Sequence, residues 1–225
     1  MKLSIIIVSY NVKHYLAQCL TSIWRSDEKD VEVFVVDNAS KDDSIGFLRK
    51  SFPEREYPLL HLIESKKNLG FGKANNLALK QATGDYILFL RGLPTPWVSF
   101  CKMTGLATLF PKSRIFGKYY MRYQDEKSAQ EIDIVSGAFM MMSQQAARET
   151  EGFDEQFFMY GEDIDLSYRA LKCGYKNFYL PTEILHYKGE STQKNSYRYV
   201  HVFYEAMLIF FRKHYPQARL WLSIP

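Results

Sequence analysis

The chain opens on an apolar run of strand length, Leu3-Ser4-Ile5-Ile6-Ile7-Val8, followed by Ser9-Tyr10-Asn11. A run of this kind is typical of a strand that is buried on both faces of a parallel sheet. Residues 12–24 then carry apolar side chains at helical spacing. The first 24 residues therefore predict a strand, a turn and a helix, which is the opening unit of an α/β fold.

The same alternation continues as far as residue 90. Residues 31–36, 59–64 and 86–90 are apolar enough for buried strands, and the segments 42–48 and 73–82 between them have helical character. Four strands alternating with three helices predict a Rossmann-like, mostly parallel sheet flanked by helices. Ligands of such sheets bind at the carboxyl ends of the strands, and Asp37 is predicted to lie at one of those ends.

The alternation of strands and helices stops after the fourth strand. The sequence there is Arg91-Gly92-Leu93-Pro94-Thr95-Pro96, and its two prolines disfavour a helix. Further on, 132–135 and 138–142 are predicted strands around Ser136-Gly137, and 176–180 is another strand. The segment 197–214 has the pattern of a long amphipathic helix. These elements predict a smaller, acceptor-side region that completes the same domain.

A group of carboxylates, Glu162, Asp163 and Asp165, follows Gly161 at the predicted start of a helix that ends near residue 173. Carboxylates at a helix N-terminus are stabilised by the exposed backbone N–H groups, and Asp165 is spaced to pair with Arg169. Those structural roles do not account for all three residues. Crowded carboxylates bind protons more tightly, which suits a general base, so we favour a catalytic role.

Composition excludes several classes of protein. The net charge is only +4 and basic residues are scattered, which argues against nucleic-acid binding. Three distant cysteines without metal-type spacing indicate a reducing, cytoplasmic setting. The chain has no apolar run of eighteen residues, but aromatic and basic residues alternate over 210–225, which predicts contact with the inner face of a membrane.

Five motifs in order resemble the inverting family 2 glycosyltransferases of GT-A fold, and the rhamnosyltransferase-like branch in particular. They are Ile6-Ile7-Val8-Ser9-Tyr10-Asn11, Val36-Asp37-Asn38-Ala39-Ser40, Asn68-Leu69-Gly70-Phe71-Gly72-Lys73-Ala74-Asn75-Asn76, Gly84-Asp85-Tyr86-Ile87-Leu88-Phe89-Leu90 and Gly161-Glu162-Asp163-Ile164-Asp165-Leu166. The likeness extends over nearly the whole chain. It implies transfer of a sugar, with rhamnose as one candidate, from a nucleotide-diphosphate donor to a saccharide or lipid-linked acceptor in bacterial-type cell-wall or surface polysaccharide synthesis.

The resemblance also implies roles for individual residues. Asp163 would be the general base and Glu162 would orient it, while His186 would ligand a divalent cation, Mg²⁺ or Mn²⁺. The donor nucleotide and diphosphate would be bound by Ser9, Tyr10, Asp37, Asn68, Gly70, Phe71, Lys73 and Asn76. By the same resemblance, 1–90 is the nucleotide-sugar-binding half, 91–194 is the acceptor and catalytic half, and 195–225 is a C-terminal amphipathic helix with a membrane-proximal tail.

One departure from the family follows Leu90. Relatives continue there into an Asp-x-Asp motif that holds the cation, whereas this chain continues with Arg91-Gly92. Either Arg91 supplies the positive charge, or a stretch is missing between Leu90 and Gly92, through a deletion in the gene or an omission from the sequence. A nucleotide-sugar-binding protein with impaired catalysis is therefore the alternative function. A dinucleotide-dependent dehydrogenase is disfavoured, because the first turn lacks the glycine fingerprint.

Overall fold

The computed structural model describes residues 1–90, 127–184 and 197–216 of the 225-residue chain. In the first range, four strands alternate with three helices: β1 Leu3–Ser9, α1 Lys13–Trp24, β2 Val31–Asp37, α2 Ser44–Ser51, β3 Leu60–Glu64, α3 Phe71–Leu79 and β4 Tyr86–Leu90. The other two ranges contain β5 Gln130–Ile132, β6 Phe139–Ser143, α4 Gln144–Glu149, α5 Glu162–Lys172, β7 Asn177–Tyr179 and α6 Tyr197–His214.

Five strands form one sheet in the order β3-β2-β1-β4-β6, and β5 pairs with β7 in a separate two-stranded sheet. Strands β1 to β4 are mutually parallel, whereas β6 runs antiparallel to β4. The predicted α/β architecture with a mostly parallel sheet is confirmed. Because the first four strands point the same way, their carboxyl ends share one edge, which we call the C-terminal edge.

The apolar run of β1 is buried on both faces of this sheet. Ile6 lies in a core cluster with Phe34, Phe89, Phe153 and Leu166. Its neighbours Ile5 and Ile7 lie in a second cluster on the other face, with helix residues that include Leu16 and Leu20. Successive strand residues point to opposite faces, so a strand covered on both sides must be apolar throughout. Leu166 brings α5 into the first cluster and so ties the carboxylate helix to the sheet.

Several element boundaries differ from those predicted. Helix α3 begins at Phe71, before residue 73, because Gly70 adopts a positive φ of 79° that turns the chain directly into the helix. Helix α2 begins at Ser44, after residue 42, because Asp43 lies in the left-handed region. The strand predicted over 132–135 is absent, since β5 ends at Ile132 and a loop follows. Helix α4 was not predicted, although Ser143 caps it by accepting from the Ala146 N–H at 3.1 Å.

Helix α6 has the predicted bounds of 197 and 214 and packs beside the start of α5. Its Ala206 is buried against Phe157 and Tyr160, which belong to the segment that leads into α5. Within the described ranges, no helix has both the length and the apolar character needed to cross a bilayer. Residues 217–225, part of the predicted membrane-contacting tail, lie outside these ranges.

Candidate active site

Two polar side chains end neighbouring strands at the C-terminal edge. Ser9 and Asp37 are register partners in the β1–β2 pair, and both residues are at most 4% exposed. Ser9 Oγ and Asp37 Oδ1 lack a hydrogen-bond partner, whereas Asp37 Oδ2 accepts from the Ser40 N–H at 2.9 Å. A buried polar atom without a partner costs about 1–3 kcal/mol, so two of them side by side indicate a place for a polar ligand.

Asn38 fastens the glycine-containing loop to this edge. Its Oδ1 accepts from the Leu69 N–H at 2.8 Å, and its Nδ2 donates to Asn68 Oδ1 at 3.0 Å and to the Gly70 carbonyl at 3.2 Å. The Asn38 N–H also donates to the Ser9 carbonyl at 2.8 Å. Asn38 therefore joins three elements: it follows β2, its backbone N–H binds β1, and its side-chain amide binds the loop that we predicted to contact the donor.

The same loop is locked to the segment that leads into α5. The Phe71 N–H donates to the Phe158 carbonyl at 3.1 Å, and a Cβ at Gly70 would collide with that carbonyl oxygen. Gly70 is therefore required both by its positive φ and by this close approach. Farther along, Tyr160 has a positive φ of 74°, unusual for an aromatic residue, and Gly161 follows at 78°. This sharp turn places α5 directly beside the loop.

Glu162 and Asp163 open α5, and both are buried, at 0% and 3% exposure. Asp163 Oδ2 accepts from the Gly137 N–H at 2.9 Å, and Oδ1 accepts from the Ile164 N–H at 2.9 Å. Each carboxylate oxygen thus has one backbone donor, and a carboxylate oxygen has room for a second. The side chain is held in one orientation and keeps the capacity to accept a proton.

Sheet register locates Asp163 at the C-terminal edge. Strand β6 begins at Phe139, which lies opposite Leu90, the last residue of β4. Gly137 comes two residues before Phe139, so it lies beyond the end of β4, and Asp163 is bonded to it. Ser9, Asp37, the loop anchored by Asn38 and Asp163 therefore all belong to one edge of the sheet. This is where ligands bind in open parallel sheets.

Asp165, the third carboxylate, is the centre of a buried ion-pair network. It receives Arg169 Nε at 2.7 Å, Lys213 Nζ at 2.9 Å and His214 Nε2 at 2.6 Å, with its side chain fully buried. The predicted pairing with Arg169 is confirmed. Lys213 also binds Asp154 at 2.6 Å. Burial acts to raise the pKa of Asp154, but the hydrogen bonds from Lys213 and the Gln156 N–H, together with the charges of Lys213 and Arg169, outweigh it, so that pKa lies below its ordinary value.

The other residues predicted for the site, Tyr10, Lys73 and Asn76, differ in their burial and in their contacts. Tyr10 is half-buried directly after β1. Lys73 is exposed and lies 3.8 Å from Glu155. Both polar atoms of the Asn76 amide are engaged by the backbone of Phe153, with Nδ2 donating at 2.8 Å and Oδ1 accepting at 3.0 Å. Asn76 thus holds α3 against the 152–153 turn, so the donor role that we predicted for it stays a prediction.

The predicted cation site cannot be placed, because His186 and Arg91 both lie outside the described residues. In the ranges 1–90, 127–184 and 197–216, no three His, Cys, Asp or Glu side chains are grouped to hold a metal ion. Backbone N–H groups donate to Asp37 Oδ2 and to both carboxylate oxygens of Asp163, whereas Asp37 Oδ1 has no hydrogen-bond partner. The described residues of this edge therefore provide no complete ligand set for a divalent cation, and no step of the chemistry below is routed through one.

Family models match both halves of the chain. The model described as "Glycosyl transferase family 2" matches residues 4–90, and that described as "Glycosyl transferase family group 2" matches 103–224, more than half of the chain. The chain belongs to glycosyltransferase family 2. The first match ends at Leu90, the residue after which the sequence departs from the family.

A relative of known activity resembles the chain over most of its length. It is the N-acetylglucosaminyl-diphospho-decaprenol L-rhamnosyltransferase of Mycobacterium tuberculosis, which is 24% identical over 92% of this chain and 83% of its own length. The alignment has 260 positions, more than the 225 residues of this chain. The relative therefore carries residues that have no counterpart in this glycosyltransferase.

Solved structures show the GT-A fold. The mannosyltransferase PcManGT from Pyrobaculum calidifontis, in complex with GDP-Man and Mn²⁺, superposes with a TM-score of 0.58 at 20% identity over 87% of this chain and 58% of its own. Staphylococcus aureus TarS 1–349, in complex with UDP-GlcNAc, superposes with a TM-score of 0.60 at 18% identity over 94% and 67%. This glycosyltransferase thus spans little more than half of the mannosyltransferase chain and two thirds of the TarS fragment.

Sequence reasoning assigned no role to Asn38 or Gly137, which organise the site. Asn38 stands inside a quoted motif, and its buried position at a strand end was a signal for a structural amide. Gly137 acts through its backbone N–H, which every residue but proline has. The one signal in the sequence was the absence of a side chain at this position, which allows another group to approach closely.

Proposed function

We propose that this glycosyltransferase moves a sugar from a nucleotide-diphosphate donor to a saccharide or lipid-linked acceptor with inversion at the anomeric carbon. The observation that carries the proposal is the C-terminal edge, where Ser9 Oγ and Asp37 Oδ1, which lack hydrogen-bond partners, lie at the same edge of the sheet as Asp163. Hydroxyl and carboxylate oxygens suit the polar groups of a nucleoside. Residues 1–90 would bind the donor, 91–194 would hold the acceptor, and 195–225 would lie at the membrane.

In the proposed reaction, Asp163 takes the proton of an acceptor hydroxyl as that oxygen attacks the anomeric carbon. The bond from that carbon to the donor phosphate breaks on the opposite side, its electron pair leaves with the nucleoside diphosphate, and the configuration inverts. Glu162, buried beside Asp163, would orient it. The M. tuberculosis relative acts on a diphospho-decaprenol acceptor, which supports a lipid-linked acceptor, a rhamnosyl donor and a role in cell-surface polysaccharide synthesis.

A divalent cation is part of the proposal because the PcManGT complex contains Mn²⁺. His186 is the candidate ligand, and Arg91 is the alternative source of positive charge. Turnover should be compared with Mg²⁺, with Mn²⁺ and with a chelator, in wild type and in Arg91→Ala. Cation-free turnover that survives in Arg91→Ala would refute the role of Arg91.

The test of the main proposal uses a panel of UDP-, GDP- and dTDP-linked sugars. A donor that binds only the folded protein raises its melting temperature, so a shift identifies the nucleotide. Release of nucleoside diphosphate, with and without saccharide or prenyl-linked acceptors, then measures transfer. The second candidate function, nucleotide-sugar binding without turnover, is favoured by the sequence Arg91-Gly92 in place of the metal motif. It predicts a thermal shift with no release of nucleoside diphosphate.

We also propose that the protein acts at the cytoplasmic face of a membrane through α6. Apolar side chains that are 37–50% exposed recur along one face of this helix, at Val200, Tyr204, Leu208 and Phe211, and Tyr215 follows directly after the helix end. Arg212 is exposed near its end, and the sequence continues with further aromatic and basic residues, including Arg219 and Trp221. Aromatic, aliphatic and basic side chains together suit the surface of an anionic bilayer.

Sedimentation with liposomes tests this contact. The chain should bind vesicles that contain anionic phosphatidylglycerol and should bind pure phosphatidylcholine less. Binding should fall in the double variant Leu208→Ser, Phe211→Ser and on removal of residues 215–225. A matched double variant at exposed apolar positions away from α6, Leu59→Ser with Phe178→Ser, should bind as wild type does. Equal binding by all variants would refute the proposed contact.

A further inference from the structure

The loop before β6 runs alongside α5 and is hydrogen-bonded to it at two points. The Gly137 N–H donates to Asp163 Oδ2 at 2.9 Å, and the Val135 N–H donates to Ser167 Oγ at 3.1 Å. Asp163 and Ser167 are four residues apart, so they lie on the same face of α5 one turn apart. We call residues 135–137 the strap.

Both ends of the strap are fixed. On one side, Asn177 Nδ2 donates to the carbonyl of Asp133 at 2.8 Å and to that of Ser167 at 3.2 Å, which ties the start of the strap to α5. On the other side, the chain passes directly into β6 and so into the central sheet. Because the chain is held on both sides of the strap, these contacts fix the position of the Gly137 N–H relative to α5.

A side chain at position 137 would crowd Asp163. A Cβ on Gly137 would lie 3.1 Å from the Cβ of Asp163 and 3.3 Å from its Oδ2. These distances are shorter than ordinary van der Waals contacts, and the atoms belong to a buried side chain with little freedom to move away. Gly137 does not adopt a positive φ, so alanine would fit its backbone conformation. Its substitution therefore tests the close approach alone.

We propose that Gly137 is a positioning residue for the transfer reaction. Its N–H holds Oδ2 of Asp163, and the absence of a side chain lets the carboxylate lie close enough to be held. The inference rests on the proposed role of Asp163 as the base. A general base must lie within hydrogen-bond reach of the hydroxyl proton, and a displacement of about 1 Å can lower the rate by about 100-fold.

The test measures turnover and donor affinity in matched variants, using whichever of UDP-GlcNAc, GDP-mannose and dTDP-rhamnose wild type turns over fastest. We expect Gly137→Ala to lower kcat by about 10- to 100-fold with unchanged donor Kd, because the added methyl displaces the base and does not touch the Ser9–Asp37 pair. Ser167→Ala, which frees the other end of the strap, should lower kcat by less than Gly137→Ala. Gly46→Ala is the control, since its Cβ also meets a carboxylate, that of Asp43, but at an exposed position of α2.

The outcomes separate this inference from the proposed function. Wild-type kcat in Gly137→Ala, when Asp163→Asn is inactive, would overturn the positioning role and leave the proposed function standing. A parallel loss of donor affinity and thermal stability in Gly137→Ala would assign it a structural role and would also overturn the inference. Wild-type kcat in Asp163→Asn, or no turnover by wild type with any of the three donors, would refute the proposed function and the inference with it.

Discussion

Asp165→Asn is expected to destabilise this glycosyltransferase strongly, although Asp165 is not proposed to touch substrate. The carboxylate is fully buried and accepts from Arg169, Lys213 and His214 within 2.6–2.9 Å. An asparagine has the same shape, but it carries no charge and must direct an NH₂ group at one of these donors. Arg169 would then lose its carboxylate partner in the interior, and Lys213 would keep only Asp154.

The size of the effect follows from this burial. Breaking a buried ion pair from one side costs about 3–5 kcal/mol, whereas the total stability of a domain is about 5–15 kcal/mol. Urea unfolding should show the loss as a fall in midpoint of about 1 to 2.5 M, for a slope of about 2 to 3 kcal/mol/M. Since α6 is held to α5 by these contacts, proteolysis should also release α6 sooner in the variant.

The matched control is Glu131→Gln, which breaks an ion pair of 2.9 Å with Lys176 on the surface. Both side chains are more than half exposed, so the pair contributes less than about 1 kcal/mol. If Asp165→Asn shifted the urea midpoint no more than Glu131→Gln does, the interpretation that the buried ion pairs of Asp165 hold α6 against α5 would be wrong.

Two further predictions concern stability in acid and donor affinity. Burial acts to raise the pKa of Glu32, but hydrogen bonds from Ser4, Lys2 and Thr83 outweigh it and lower this pKa from 4.5 to about 2. The ionised Glu32 therefore stabilises the fold fully above pH 4.5, and this stabilisation is lost as the pH falls towards 2. Glu32→Gln should lower the free energy of unfolding by about 2–3 kcal/mol at pH 7 and by almost nothing at pH 2, as measured by urea unfolding at both pH values. Asn38→Asp keeps the acceptor for Leu69 but replaces the Nδ2 donor that faces Asn68 and Gly70. It should raise the donor Kd by about 10-fold in calorimetric titration, and an unchanged Kd would contradict the role of Asn38 in holding the loop.

Much of the fold could be predicted because its signals are local. The apolar runs of β1, β2 and β4 are long enough to show burial on both faces, and the helical spacing over 197–214 gave α6 its correct bounds. Boundaries failed where a single residue turns the chain, as at Asp43, since a left-handed conformation at a residue other than glycine leaves little trace in composition.

The site was less accessible to sequence reasoning because its contacts join distant segments. The pairing of Asp165 with Arg169 follows from spacing within one helix, but Lys213 and His214 come from a helix nearly fifty residues later. The Gly137 contact to Asp163 uses a backbone donor, which sequence does not reveal. Residues that act through the main chain therefore become visible only when the strands have been placed in register.

The most direct test of the central claim compares donor binding and turnover in wild type and Asp163→Asn. The asparagine fills the same space, and its one carbonyl oxygen can accept from the Gly137 N–H at the cost of the bond from the Ile164 N–H, but it cannot take a proton. The proposed mechanism predicts an unchanged donor Kd and at least a 100-fold lower rate of nucleoside diphosphate release at saturating donor and acceptor, since general-base catalysis contributes about 10²- to 10⁴-fold. Turnover within about twofold of wild type would contradict the assignment of Asp163 as the base.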